Sequence, residues 1–427
     1  MANQLQVVQT YNKSALALLS NQNVYINICN MKGKDFNKNA ANLGDTITYS
    51  MPPRFYLQNT LGVVTQESLQ QQFFALTADK VLSVPYTATD QERIFNIDKD
   101  DADENDIGNF MSEFAASAVA EIGTGVERVV SAVIPENTFR YFGDGITEIN
   151  SFQQLAQICA KFRNFGAAQN DTQVILPDII VPQIIGTGLS QFATDRNNDI
   201  AETWRLGSYS KATFNQTNIY ETHYAGNVCE TGTTLTLVAV SVDGKQLTFT
   251  GAAPNDPDAV KANDLFTFQD GVPGFPNIRY LTYIGHSPSA SKVQFSSLND
   301  AASDLGGNVV INVHYPILGP TQAITQGLQN KSINFDLQAG MQVLGAKSHA
   351  VGVIYSGNAL YLAMPELPDT DPFKSSIITD KDTGASMRLY QGFIMNQAQK
   401  QWALQVICGA KLVPEYAMRI AIPLSQV

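Results

Sequence analysis

At 427 residues the chain is long enough to bury more than one hydrophobic core. Apolar residues hold a normal 44% share, but charged residues reach only 15%, against about 25% in a typical soluble chain, and Asn, Gln, Ser and Thr take their place. The net charge of −12 repels nucleic acid instead of gathering it, which disfavours a general DNA-binding role, and the hydrophobic content separates the chain from disordered acidic proteins.

Residues 1–44 are rich in Asn, Gln and Lys and hold one short apolar helix signal, Ala15 to Leu19. They read as an arm that needs a neighbour. Their start has no basic stretch followed by a long apolar core, so a signal peptide is not expected and synthesis in a cytosol is. From Asp45, DTITYSMPPRFY alternates as a strand until Pro52 and Pro53, and QQQFFALTADKVLSVPYT gives a second strand region. Together they form a long two-stranded excursion, a kind of element that is marginal alone in water. It is expected to lie across another subunit.

Glu104 to Ile134 carries the clearest helical period, with Ile107, Phe110, Met111, Phe114, Ala118, Ile122, Val126, Val129, Val130 and Val133 recurring at three and four. The predicted rod is roughly 45 Å long and stops at Pro135. Six acidic residues from Asp98 to Asp106 crowd its start, where negative charge favours a helix N-terminus. A second helix, SFQQLAQICAKFRNF, places Phe152, Leu155, Ile158, Cys159 and Phe162 on one face. An apolar strand at Val174–Leu176 and a short helix follow.

Between Gly226 and Pro316 the character is all-β: TTLTLVAVSVDGKQLTFTG, NDLFTFQDGV, IRYLTYIG, KVQFSSL and VVINVHY are short runs separated by Gly, Pro, Asn and Asp turns. This predicts a small barrel or sandwich inserted into a mixed α/β host. Beyond Asn330 a helix and two strands are expected, then two long strands, SMRLYQGFIMNQ and QWALQVICGAKLV, and the final run EYAMRIAIPL. The most apolar stretch, Val174 to Ile185, is broken by Pro177, Asp178 and Pro182 and falls well short of the roughly 20 residues a bilayer needs.

Local chemistry is sparse. Asp101, Asp103 and Asn105 have the spacing of a calcium loop, but Asp106 stands where the turn wants Gly and Ser112 where a bidentate Glu belongs, so helix capping and solvation explain the cluster. His223, His286, His314 and His349 have no local companions, and Cys29, Cys159, Cys229 and Cys408 lie far apart. Neither a metal site, a disulfide framework nor a nucleophile elbow is signalled, and no enzyme, cofactor or metal is expected. Gly186 and Gly188 fit a turn before a helix better than half a dinucleotide fingerprint.

The order of elements resembles the major capsid (coat) proteins of tailed phages, which have the Hong Kong 97-type fold, and within them the short-tailed phage coats that carry an inserted telokin-like β-barrel. QQQFFALTADKVLSVPYTATDQE is similar to the second hairpin strand leading into the spine helix. VKANDLFTFQDGV is similar to a strand of the insertion barrel, and GMQVLGAKSHAVGVIYSGNALYLAMPELP to the segment that follows it.

The resemblance implies an α+β fold in seven parts. These are an N-terminal arm (1–44), an extended β-hairpin loop (45–95), a peripheral domain with a spine helix (96–137), the first part of an axial domain (138–225), an inserted all-β barrel (226–316), a return through the axial domain (317–365) and peripheral strands (366–427). It further implies a virion protein, assembled in the host cytoplasm as pentamers and hexamers of an icosahedral shell. The partners are then a scaffolding protein, a portal and non-specifically packaged DNA, with no membrane. The precursor shell would expand on maturation.

On this reading Tyr49, Met51, Arg54, Phe55, Phe73 and Phe74 of the hairpin contact a neighbouring subunit. Gly108, Gly123 and Gly125 are bend points of the spine helix, or alternatively places of close packing against a strand. Asp256, Asp258 and Lys261 belong to a loop of the insertion that bridges subunits. The arm departs from the family in one respect: its first acidic residue is Asp35, so scaffold contact is expected elsewhere or through apolar groups. A tail-tube or decoration protein is the alternative, and it would lack a spine helix followed by an inserted barrel.

Overall fold

A computed structural model describes residues 15–16, 19, 23–32, 35–36, 43–51, 73–89, 109–166, 171–184, 213–214, 217–222, 227–228, 234–283, 285–327, 330–357, 359–367, 375–380, 384–394 and 399–426. The chain divides into two compact units, one from residues 1–49, 74–131 and 360–411, the other from 50–73, 132–359 and 412–427.

The first unit is organised by the 14-residue strand Gln399–Leu412. Ser386–Ile394 pairs with it antiparallel over 399–405, and Lys80–Thr89 pairs antiparallel over 399–408. Ser375–Thr379 extends this sheet at one end, and Leu360–Ala363 with Asn30–Met31 at the other. The unit also carries most of the long helix Asn109–Glu136, whose 28 residues make a rod of about 42 Å. Ala118, Val119, Ile122, Val126 and Val130 form its buried stripe, at the spacing the sequence predicts.

Pro135 does not end this helix, which continues to Glu136. A proline ring removes one hydrogen bond and crowds the preceding turn, so it stops a helix within a residue or two instead of at its own position. Asn137 and Thr138 then take the loose carbonyls: the Asn137 side chain donates to Val133 O at 2.9 Å and the Thr138 hydroxyl to Ile134 O at 2.8 Å. The acidic run Asp98–Asp106 lies outside the described residues.

The second unit has two cores. In the first, a mixed sheet runs in the order Tyr141–Phe142, Ala417–Pro423, His349–Ser356, Thr172–Pro177, Thr217–Thr222, Thr213–Phe214. All eight residues of His349–Ser356 are buried, as a central strand covered on both faces requires. The helix Phe152–Asn164 places Leu155, Ile158, Cys159 and Phe162 against Val174, Leu176, Ile354 and Ile420. A capping box fixes its start: Ser151 Oγ accepts from Gln154 N and the Gln154 side chain accepts from Ser151 N.

The other core is a six-stranded sheet in the order Gln294–Ser296, Leu265–Phe268, Gln342–Gly345, Thr234–Val240, Gln246–Thr250, Asn308–Asn312. Its two edges meet: Ser297 bridges Val313, and Leu298 N–H donates to Asn312 O at 2.7 Å. The sheet therefore closes on itself. Phe249, Phe266 and Phe268 pack around Phe295 inside it, with ring centroids 5.8, 5.2 and 5.6 Å away.

Two of the expected boundaries move. Gln342–Gly345, expected in the return segment 317–365, is an interior strand of the closed sheet, paired with both Thr234–Val240 and Leu265–Phe268. Ala417–Pro423, expected among the peripheral strands 366–427, instead pairs with His349–Ser356 in the second unit. Both are apolar runs whose strand character is plain while their partner is chosen by tertiary packing. The helix expected after Asn330 is also absent among the described residues there; a short helix lies upstream, at Pro320–Gln326.

Candidate functional site

A hairpin pairs Thr46–Ser50 with Phe73–Thr77. Its base is tied by Gly44 N–H to Ala78 O at 2.8 Å, Ala78 N–H to Asp45 O at 3.1 Å, and a hydrogen bond between the Thr46 and Thr77 hydroxyls at 2.9 Å. The backbone passes so close to the long strand that a Cβ on Gly409 would run into the Thr77 carbonyl. One face carries an aromatic cluster: Tyr49 stacks on Phe74 at 5.5 Å and on Tyr361 at 5.8 Å. The Tyr49 hydroxyl donates to Asp35 Oδ2 at 2.9 Å, and the Lys32 ammonium sits 5.4 Å from its ring. Burial, then the Asp35 carboxylate, holds the Tyr49 phenol above its usual pKa.

The hairpin residues singled out in the sequence fall into different environments. Phe73 is 60% exposed, Phe74 and Tyr49 are half-buried, and Met51 is buried. Arg54 and Phe55 lie outside the described residues. Phe73 thus presents most of a large ring to solvent.

Of the three glycines, Gly108 lies outside the described residues. Gly123 is approached by Leu19, whose Cδ1 would stand 3.5 Å from an added Cβ, and its carbonyl accepts from the Asn23 side chain at 2.9 Å. Asn23 also caps the short helix Val24–Ile28 through Ile26 N–H. Gly125 faces Leu82 of the strand Lys80–Thr89, 3.0 Å from where a Cβ would be. Gly125 therefore lets the strand Lys80–Thr89 approach the long helix closely, whereas a Cβ at Gly123 would meet only ordinary contacts.

The predicted bridging loop is stitched to itself. Asp258 N–H donates to Asp256 Oδ1 at 3.0 Å, Lys261 Nζ pairs with Asp258 Oδ1 at 2.8 Å, and Lys261 N–H donates to Asp264 Oδ2 at 3.0 Å. Asp256 N–H reaches Ser303 Oγ at 2.8 Å. The loop is thus a largely exposed, charged segment fixed by its own polar bonds and by one to Ser303.

Two buried arginines, which the sequence reading missed, sit in the second unit. Arg419 is fully buried and donates to Thr138 Oγ1 at 3.0 Å, to Asn263 O at 2.9 Å and to the Pro135 carbonyl. It thereby holds the end of the long helix, the strand Ala417–Pro423 and the base of the 251–264 loop together. Arg140 lies 3.9 Å above the Phe165 ring and donates to the Glu415 and Ala417 carbonyls at 3.1 Å. Burial lowers both guanidinium pKa values, to about 9 for Arg419 and about 10 for Arg140. An arginine inside an otherwise apolar run, AMRIAIP, is the signal that could have found the first, because a fully buried Arg must be paired.

A third cationic feature joins distant parts of the sequence. Lys161 and Arg163, in the last turn of Phe152–Asn164, meet Lys292 from the ribbon strand Pro288–Lys292 around a groove of about 760 Å³. A smaller void between Phe268, Phe275 and Met341 measures about 10 Å³, room for no more than one water. Among the described residues no cluster of His, Cys, Asp and Glu could hold a metal ion. Cys29, Cys159 and Cys408 are free and buried, and Cys229 and His223 lie outside the described residues. No helix among the described residues is long and apolar enough to cross a membrane.

No protein-family model matches the sequence, and no curated protein does. Solved structures do. A structure of Mycobacterium phage Che8 aligns over 93% of this chain and 91% of its own at 9% identity, with a TM-score of 0.43. The capsid of Ralstonia phage GP4 aligns over 90% and 85% at 7% identity with a TM-score of 0.41. The head of Helicobacter pylori bacteriophage KHP40 aligns over 89% and 84% at 9% identity, with a TM-score of 0.37.

Proposed function

We propose that this chain is the major capsid protein of a tailed double-stranded DNA phage, a building block whose working sites are its contacts with copies of itself. One observation carries the reading. The two-stranded hairpin stands on a well-tied base and yet leaves Phe73 60% exposed, while the closed sheet in the same chain completes its own core. One face of the hairpin packs on Tyr361, Ala363 and Ile407 of the same chain, and the opposite face, with Phe73 largely exposed, is left for a neighbour to complete.

Copies then tile a closed shell as pentamers and hexamers, which presents one sequence with several slightly different environments. A surface poor in charge and rich in amides tolerates such adjustment, since Asn and Gln both donate and accept without the desolvation penalty of a misplaced charge. Hairpin residues from Tyr49 to Phe74 lie across the neighbouring subunit, and the loop bearing Asp256, Asp258 and Lys261 meets a further copy. The long helix bends near Gly123 and Gly125 in a rounded precursor shell and straightens on expansion. A scaffolding protein, a portal and packaged DNA are the other partners, and the net charge of −12 keeps DNA sliding instead of sticking.

The test is electron microscopy and sedimentation of the purified chain, alone and with a co-expressed scaffolding protein. Closed shells support the proposal. Tubes favour a tail-tube protein, and monomers under all conditions contradict a coat.

A further inference from the structure

The groove between the end of the helix Phe152–Asn164 and the ribbon strand Pro288–Lys292 concentrates positive charge on a chain whose balance is strongly negative. Lys161 is the informative residue. Its ammonium donates to the Tyr141 carbonyl at 2.7 Å and lies 5.9 Å from the Tyr141 and Phe142 rings. The charges that act on it are Arg140 and Lys292, both cations. Burial first, then these two neighbours, lowers its pKa to about 8.

Lys292 shares Asp270, at 3.3 Å, with Arg279, which takes both of that carboxylate's oxygens at 2.6 and 3.0 Å. A helix C-terminus favours cations in its last turn and accounts for Lys161 and Arg163. It does not account for a third cation brought from a distant strand to face them. A half-buried ammonium among like charges, with a carbonyl as its hydrogen-bond acceptor, is an arrangement that an incoming anion relieves.

The same sequence supplies a matching anion. Between Asp98 and Asp106 stand six carboxylates and one lysine. In a lattice of identical copies this run is presented to its neighbours at high effective concentration, whereas a DNA phosphate backbone must first approach a protein of net charge −12. We propose that the Lys161–Arg163–Lys292 groove receives the acidic run Asp98–Asp106 of a second copy of this chain. The inference rests on the coat reading and adds to it a polar contact that fixes how neighbours register.

The experiment uses two full-length variants. One reverses the run (Asp100→Lys, Asp101→Lys, Asp103→Lys), the other the groove (Arg163→Glu, Lys292→Glu). Each alone should raise the concentration needed for shell formation by about tenfold or more, and a mixture of the two should recover it, because each run then meets a groove of opposite sign on the other chain. No rescue in the mixture, or rescue only when all five changes share one chain, overturns a contact between copies.

A second arm needs no variant. A synthetic peptide of residues 98–106 should bind the wild-type chain more weakly as salt rises and as pH passes through about 8. Binding of a short DNA duplex in its place, lost in the groove variant, overturns the peptide assignment in favour of phosphate. If wild-type shells never form, the coat reading fails, and the peptide titration still decides the groove.

Discussion

The closed sheet of the second unit and the hairpin Thr46–Ser50/Phe73–Thr77 are both β-structure, yet they solve opposite problems. In the closed sheet Phe249, Phe266 and Phe295 are essentially inaccessible, and the edges meet at Ser297 and Val313, so few strand groups are left to solvent. Among the described residues the hairpin's two short strands pair with each other, one face packs on Tyr361, Ala363 and Ile407, and Phe73 on the other face is 60% exposed. The difference teaches where function resides in a protein without a reaction. The self-sufficient element supplies stability, and the incomplete one supplies the surface that another molecule completes.

The contrast can be broken most forcefully at its stable end. Phe266→Ala removes a ring from the centre of the closed sheet and should cost ~3–5 kcal/mol, read as a large fall in the thermal or denaturant midpoint. A change under about 1 kcal/mol would mean that this core is not the stable element.

Next comes His349, buried at the start of the central strand, with Nδ1–H donating to the Lys347 carbonyl at 2.7 Å. Burial, then Arg419, lowers its pKa from 6.5 to about 4. The folded pKa lies below the unfolded one, so the unfolded chain binds the proton first as pH falls. The stabilisation is complete above pH 6.5 and declines between about 6.5 and 4, by on the order of 2–3 kcal/mol. His349→Gln should flatten that part of the stability profile, and an unchanged slope would exclude His349 as its source.

Smaller still is Gly409→Ala, which pushes a methyl group into the Thr77 carbonyl at the hairpin base. Overpacking of this kind costs ~1–3 kcal/mol, and hydrogen exchange should rise at Thr46–Ser50 and Phe73–Thr77 while the closed sheet is unaffected. Least of all on stability is Phe73→Ser, expected within about 0.5 kcal/mol of wild type because the ring is exposed in the single chain. Shell yield should nevertheless collapse. Equal loss of stability and assembly would show instead that Phe73 belongs to the chain's own core.

Much of this was legible in the sequence because period and punctuation are local. The 3.6-residue stripe from Ala118 to Val130, the helix Phe152–Asn164 and the alternating runs after Thr234 all formed where expected. Strand partnership was not legible. Nothing in QVLG says that it lies between Thr234–Val240 and Leu265–Phe268, nor in AMRIAIP that it belongs beside His349–Ser356, since an apolar run satisfies any sheet that buries both its faces. Pro135 misled because its ring constrains the turn before it while leaving the residue after it free to stay helical. The cationic groove was hidden for a third reason: Lys161 and Lys292 are ordinary surface residues in sequence and become a site only when a helix end and a ribbon strand meet.

The most direct measurement compares amide hydrogen exchange in assembled particles and in dissociated subunits. The account predicts slowed exchange on assembly at Thr46–Ser50 and Phe73–Thr77, with the strands around Phe249, Phe266 and Phe295 equally protected in both states. Full protection of the hairpin already in the lone subunit, with no further change on assembly, would contradict it.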